Sequence, residues 1–214
     1  MFKQLREDIK LIKERDPAAR NSFEIFFLYR GLKAVRSHRR ANWLYRHRLF
    51  FLARFVSERS KHKTGIEIHP AAKIGKGVFI DHGTGVVIGE TAEVGDNCTI
   101  YQGVTLGGTG KERGKRHPTI GENVMIGSGA KVLGPIKIGS HSKIAANAVV
   151  LSDVPENSTA VGVPARVVRI NGERVCDDLD QIHIPDPVSQ ILCRQELLIE
   201  NLEKRIKALE EEKK

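Results

Sequence analysis

Residues 119–150, TIGENVMIGSGAKVLGPIKIGSHSKIAANAVV, carry an aliphatic side chain at every sixth position: Ile120, Ile126, Val132, Ile138, Ile144 and Val150. Glycine follows three of them, at Gly121, Gly127 and Gly139. A period of six is neither the 3.6 of a helix nor the simple alternation of a half-buried strand. It fits short strands joined by turns and stacked as a solenoid, one inward side chain per turn. The beat also runs upstream at Ile68, Ile74 and Ile80, then two residues out of step at Ile88, Val94, Ile100 and Leu106. The pattern predicts a mainly β solenoid over residues 65–170, flanked by an N-terminal helical domain at 1–64 and a tail at 171–214.

The bulk composition agrees with a narrow, aliphatic interior: the 214 residues are 40% hydrophobic but only 6% aromatic. The opening MFKQLREDIK is charged, and no apolar run approaches the ~18 residues of a membrane span. The chain reads as cytoplasmic, without membrane association. Cys98, Cys176 and Cys193 are odd in number and far apart, so they read as reduced structural thiols, and no metal site is expected. Net charge is +9, and residues 1–64 alone hold 17 Lys+Arg against 6 Asp+Glu, or +11. Such a segment suits attraction of an anionic cosubstrate or a plain solvated helical face. Nucleic acid is not expected, because no reader motif accompanies the charge.

Two apolar clusters mark the N-terminal segment as helical: Phe23, Phe26, Phe27, Tyr29, Leu32 and Val35, then Trp43, Leu44, Leu49, Phe50, Leu52, Phe55 and Val56. They suggest a cap over the open end of the solenoid. Asp16-Pro17 reads as an N-cap followed by a first-turn proline. Two interruptions break the six-residue register. Asp81-His82-Gly83-Thr84-Gly85 adds two residues between Ile80 and Ile88, and the stretch from Gly107 to His117 makes an excursion before Ile120. Interruptions of a solenoid are loops that often mark its binding face, and both contain histidine. In the tail, Ile199, Leu202, Ile206 and Leu209 have a/d spacing over about two heptads. They suit either a coiled coil or a single amphipathic helix lying on the solenoid.

The repeat resembles that of the left-handed parallel β-helix acyltransferases. More narrowly, six ordered motifs resemble those of bacterial serine O-acetyltransferases: Gly65-Ile66-Glu67-Ile68-His69-Pro70, Ile80-Asp81-His82-Gly83-Thr84-Gly85, Gly89-Glu90-Thr91, Val104 to Gly110, Arg116-His117-Pro118 and Gly162-Val163-Pro164-Ala165-Arg166. The resemblance implies transfer of acetyl from acetyl-CoA to the hydroxyl of L-serine, the first step of cysteine biosynthesis. It implies three hexads per coil, with Ile126 under Ile144 and Ile120 under Ile138. It also implies feedback inhibition by L-cysteine, no permanently bound cofactor, and a homo-oligomer (a trimer or a dimer of trimers) with active sites between neighbouring subunits.

Serine's hydroxyl needs a positioned base to become a nucleophile, and imidazole is suited to that at neutral pH. His82 matches the family's base. Its orienting partner, usually aspartate, is here Glu67, which precedes it by close to one coil. The resemblance assigns Asp16 and Asp81 to the serine amino group, and Arg116 and His117 to its carboxylate and the reacting region. Gly108, Thr109, Ser128 and Ala146 match positions that touch coenzyme A, and Arg166 is placed to serve its phosphates. His69 reads as a corner residue.

A hexapeptide acetyltransferase acting on a sugar or xenobiotic hydroxyl is the alternative; it needs a histidine base but not the pairing of Asp16 with Arg116. A zinc hydratase on this fold would need three histidines at coil-related spacing, which the chain lacks. A solenoid that only binds a partner leaves the loop residues unexplained. The charged end Glu210-Glu211-Glu212-Lys213-Lys214 offers no apolar terminal residue, so a complex with cysteine synthase through the C-terminus is not expected.

Overall fold

The computed structural model describes residues 2–110 and 114–174 and, beyond them, residues 195, 198, 199, 202 and 205–207. The chain forms two units, Met1–Glu173 and Arg174–Lys214. Four helices open the first: α1 (Phe2–Arg15), α2 (Ser22–Leu28), α3 (Arg30–Arg46) and α4 (Phe50–Thr64). α1 gives its last backbone bond from Asp16 N–H to the Ile12 carbonyl, immediately before Pro17. Asp16-Pro17 therefore ends a helix rather than starting one, because proline disfavours the helical conformation in the residue before it. The N-cap comes later, at Asn21, whose side chain accepts the Glu24 N–H at 2.8 Å. α4 stops at Gly65, whose φ of 72° is left-handed, and Lys61, His62 and Lys63 in its last turn complement the helix dipole.

The solenoid follows in coils of three strands. The first coil is β1 (Glu67–Ile68), β2 (Lys73–Ile74) and β3 (Phe79–Ile80); the second is β4 (Val87–Ile88), β5 (Glu93–Val94) and β6 (Thr99–Ile100). The third is β7 (Thr105–Gly107), β8 (Thr119–Ile120) and β9 (Met125–Ile126); the fourth is β10 (Lys131–Leu133), β11 (Lys137–Ile138) and β12 (Lys143–Ile144). β13 (Val149–Val150) begins a fifth. An antiparallel hairpin, β14 (Ser158–Gly162) with β15 (Ala165–Ile170), ends the stack, and β16 (Glu173–Arg174) follows it. Like strands pair in parallel on three faces: β1-β4-β7-β10-β13 on face one, β2-β5-β8-β11 on face two and β3-β6-β9-β12-β14 on face three.

Register explains the two interruptions. Ile126 pairs with Ile144 and Ile120 with Ile138, so a plain coil is three hexads long, as expected. Ile68 pairs with Ile88 and Leu106 with Val132, and both offsets exceed three hexads. The first coil thus holds two extra residues and the third holds eight, and both excesses sit at corners. Inside, the hexad aliphatics are sealed from water: Ile88, Ile100, Leu106, Ile126 and Ile144 are at most 1% exposed. Each such burial contributes roughly 1.5–3 kcal/mol. Cys98 shares this core, and burial pushes its thiol up to about 11.

The helices cover the first coil, and their close approach has a specific cause. A Cβ on Gly31 of α3 would lie 2.0 Å from the Ile80 carbonyl oxygen of β3. Its absence lets Ala34 and Val35 join the solenoid core. Asp8, 6% exposed, is gripped by both Arg39 guanidinium nitrogens at 2.5 and 3.1 Å, which fixes α1 to α3. Much of the aromatic surface does not pack as expected: Phe23 and Phe55 are 74% and 58% exposed. In the second unit, Leu198, Ile199, Leu202 and Ile206 are helical and exposed. Leu209, the last position of the expected a/d stripe, lies outside the described residues, as do Cys176 and Cys193.

Candidate active site

The two extra residues of the first coil form one half of the candidate site. The regular left-handed corner between faces three and one is Gly85, which stacks on Gly103 and Gly129 at φ 72–76°. His82 (φ 55°) and Gly83 (φ 72°) are left-handed in addition, just before it. For histidine this conformation costs roughly 1–2 kcal/mol. It turns the side chain out of the corner, where it is 76% exposed. Asp81 remains in the ladder through its N–H to the Ile100 carbonyl. Its Oδ1 accepts the His82 N–H at 2.9 Å, and its Oδ2 lies 3.9 Å from His82 Nε2.

A cleft of about 410 Å³ opens beside this corner, between face three and the end of α1, and both Asp16 and Asp81 line it. Asp16 is held rigidly: Oδ2 accepts the Tyr29 hydroxyl at 2.6 Å and Oδ1 accepts the Ala18 N–H at 2.8 Å. Burial, then the Asp16 carboxylate, raises the Tyr29 pKa, so the phenol stays a donor. Arg15 Nη1 donates to Thr99 Oγ1 at 2.9 Å and pins this turn to face three. Two carboxylates line one cleft, and the Arg15 guanidinium that also lines it is engaged by Thr99, an arrangement that suits a cationic amine.

Arg116 and His117 build a second cluster at the corner between faces one and two. Glu93 pairs with Thr119, an offset that includes the whole excursion, so Glu90 and Thr91 underlie Arg116 and His117. Arg116 donates to the Glu90 carboxylate, which holds that carboxyl below its usual range. Lys115 Nζ donates to the Thr91 carbonyl at 2.8 Å. His117, 8% exposed, packs its ring where a Cβ of Gly89 would stand. Burial, then the Arg116 charge, lowers its pKa. Lys111 of the same loop lies outside the described residues.

The expected residues thus form two groups at opposite edges of face one: Asp16, Asp81 and His82 on one side, Arg116 and His117 on the other. Glu67 Oε2 is 2.5 Å from Lys61 Nζ of α4, and among the described residues no hydrogen bond joins it to His82. Ser128 and the exposed Ala146 lie on the His82 edge, whereas Gly108 packs beside Arg116 and His117 and Thr109 N–H donates to the Arg116 carbonyl at 3.3 Å. The exposed Arg166 sits in the terminal hairpin opposite Val161. His69 is a half-buried corner residue whose Nδ1 accepts the Ala71 N–H at 3.1 Å. Among the described residues no group of three metal-ligating side chains gathers, and no helix is long and apolar enough to cross a membrane.

Residues 117–152 match the family model described as bacterial transferase hexapeptide (six repeats). The chain is 59% identical over 188 residues to a serine acetyltransferase of Staphylococcus aureus, covering 88% of each protein. It is 53% identical over 208 residues to that of Bacillus pumilus, covering 97% of this chain and 96% of the relative. The chain belongs to the serine acetyltransferase family. The solved serine acetyltransferase of Neisseria gonorrhoeae superposes with a TM-score of 0.77 at 46% identity, over 85% of this chain and 70% of that one. The fold is accordingly the left-handed parallel β-helix that the repeat suggested.

Sequence reasoning named Glu90 and Thr91 only as parts of a motif and left Tyr29 and Arg15 without roles. The signal for the first pair was present. Adding the length of the third coil's excursion to three hexads gives the offset that stacks Glu90-Thr91 under Arg116-His117. The contact of Tyr29 with Asp16 depends on how two short helices meet, for which no periodicity exists.

Proposed function

We propose that the enzyme transfers the acetyl group of acetyl-CoA to the hydroxyl of L-serine. His82 accepts the hydroxyl proton as serine Oγ attacks the thioester carbonyl. The tetrahedral intermediate then collapses by breaking the C–S bond, and the imidazolium returns the proton to the departing thiolate. Asp16 and Asp81 hold the serine ammonium; Arg116 and His117 act on its carboxylate and the reacting carbonyl. Glu67 is assigned to orient His82, a role that requires it to exchange its ion pair with Lys61. Gly108, Thr109, Ser128 and Ala146 flank coenzyme A, and Arg166 serves its phosphates.

One observation carries the choice of acceptor: two carboxylates face a single cleft beside the exposed histidine. A neutral sugar or neutral xenobiotic acceptor has no ammonium to pair with them. Related serine acetyltransferases have been solved with serine, with coenzyme A and with cysteine bound, which supports the same ligands here. Cysteine differs from serine only at the side-chain atom, so it should compete for Asp16, Asp81 and Arg116 as a feedback inhibitor. Because the two residue groups occupy opposite edges of face one, we place the working site between copies of the chain in a cytoplasmic trimer. The test is thiol release from acetyl-CoA with a panel of serine, homoserine, maltose and chloramphenicol, without added metal. Release with serine is expected; release with a sugar but none with serine would refute the assignment.

A further inference from the structure

Thr91 makes more polar contacts than its position in a plain corner requires. Its hydroxyl oxygen accepts the backbone N–H of Arg116 at 3.0 Å and that of His117 at 3.1 Å. The same oxygen lies 2.9 Å from His117 Nδ1, and the Thr91 backbone N–H donates to that nitrogen at 3.2 Å. A backbone amide only donates, so Nδ1 is an acceptor, and a neutral ring must carry its proton on Nε2. The hydroxyl accounting agrees. Two lone pairs take the two amides, and the single hydrogen is left for Nδ1.

We propose that Thr91 is a positioning residue that locks His117 in the neutral Nε2–H tautomer, making it a hydrogen-bond donor to an acceptor oxygen of the reacting complex and leaving His82 as the sole base. The inference rests on the proposed acetyl transfer for the identity of that oxygen. The lock itself does not depend on it. Geometry places the donor beside the expected coenzyme: a Cβ on Gly108 would stand 3.1 Å from Nε2, and one on Gly89 would stand 2.0 Å away. Two glycines therefore place no side chain over this edge of the ring, and among the described residues Nε2 has no acceptor. Protonation of Nδ1 would set a third hydrogen against two donors. Burial, the Arg116 charge and, more weakly, His69 and Lys115 oppose the imidazolium, while Glu90 favours it. The two histidines are thereby divided: His82 is exposed and has no such clamp, and His117 is enclosed and fixed as a donor.

The lock is read directly by ¹⁵N NMR of the full-length oligomer labelled at histidine. His117 should show its proton on Nε2 and an acceptor Nδ1; Thr91→Ser should keep that signature, and Thr91→Val should broaden or mix it. In kinetics, Thr91→Val should lower kcat/KM for serine by about tenfold or more, the scale of one lost hydrogen bond and its orphaned partners. Thr91→Ser should stay within about threefold, with KM for acetyl-CoA unchanged in both. His117→Gln, which can present an amide N–H near the Nε2 position, should retain clearly more activity than His117→Ala. A rise in the serine KM would place the oxygen on serine's carboxylate, and a fall in kcat would place it on the thioester carbonyl. A proton on Nδ1 of the unmodified enzyme, or His117→Gln as inactive as His117→Ala, would overturn the proposal. If the unmodified enzyme released no thiol with serine, the functional reading would fail while the NMR result still decided the lock.

Discussion

Gly89→Ala adds one methyl group at the place where the two layers of the second cluster touch. The new Cβ would lie 2.0 Å from both Cδ2 and Nε2 of His117, against the 3.4–4 Å of ordinary contact. The Gly89 backbone cannot yield cheaply, because its N–H donates to the Leu106 carbonyl at 3.1 Å within the ladder. The ring must therefore retreat by about 1.4 Å or more. That motion breaks the contacts of Nδ1 with Thr91, now 2.9 and 3.2 Å. Two such bonds at about 0.5–1.5 kcal/mol each give roughly 1–3 kcal/mol, or about 5- to 150-fold in kcat/KM for serine. The aliphatic stack is untouched, so the far-ultraviolet circular dichroism spectrum should not change. Steady-state thiol release with serine as the varied substrate measures the effect. Activity within about twofold of the unmodified enzyme, with the His117 ring unshifted, would show that its packing on Gly89 has no part in the reaction.

His82→Ala should lower kcat by roughly a hundredfold or more while the protein stays folded, since a general base contributes on that scale; near-normal turnover would send the proton elsewhere. Tyr29→Phe removes the 2.6 Å bond to Asp16 and should raise the serine KM about tenfold, leaving the acetyl-CoA KM alone; equal changes in both constants would point to a structural role. His38 is buried, among the described residues Nδ1 has no partner, and burial holds its pKa near 4 against 6.5. The unfolded chain alone binds this proton between those values, so stability is full above pH 6.5 and declines by about 3 kcal/mol as pH falls to 4. Urea unfolding at pH 7.5 and 4.5 should show a decline that His38→Gln reduces, whereas an identical decline in that variant would rule His38 out.

The solenoid was legible because its interior admits one aliphatic per hexad, and that constraint is written into Ile120 to Val150 at fixed spacing. The interruptions were legible for the same reason, since Ile80 to Ile88 and Leu106 to Ile120 depart from a strict count. Helix content around Phe23 and Phe50 was visible as periodicity, but exposure was not: an apolar helical face reads alike whether or not this chain covers it. Asp16-Pro17 was misread as a helix start because aspartate before proline suits both a cap and a turn, and only the length of α1 decides between them. Glu67 shows a different limit. Its distance along the chain from His82 allowed a contact, yet Lys61 at the end of α4 lies closer, and no pattern within the repeat reports where a preceding helix ends.

In the proposed working site, Asp16, Asp81 and His82 of one copy act with Arg116 and His117 of another on serine and acetyl-CoA. Complementation tests this sharing most directly. His82→Ala and Arg116→Ala chains should each be nearly inactive alone. Unfolded together in equal amounts and refolded, they should regain serine-dependent thiol release at about one quarter of the unmodified level, the share of intersubunit sites that draw both intact halves in a randomly mixed cyclic oligomer. Mixed oligomers as inactive as either parent would place both halves of the site in one chain and rule out a site shared between copies.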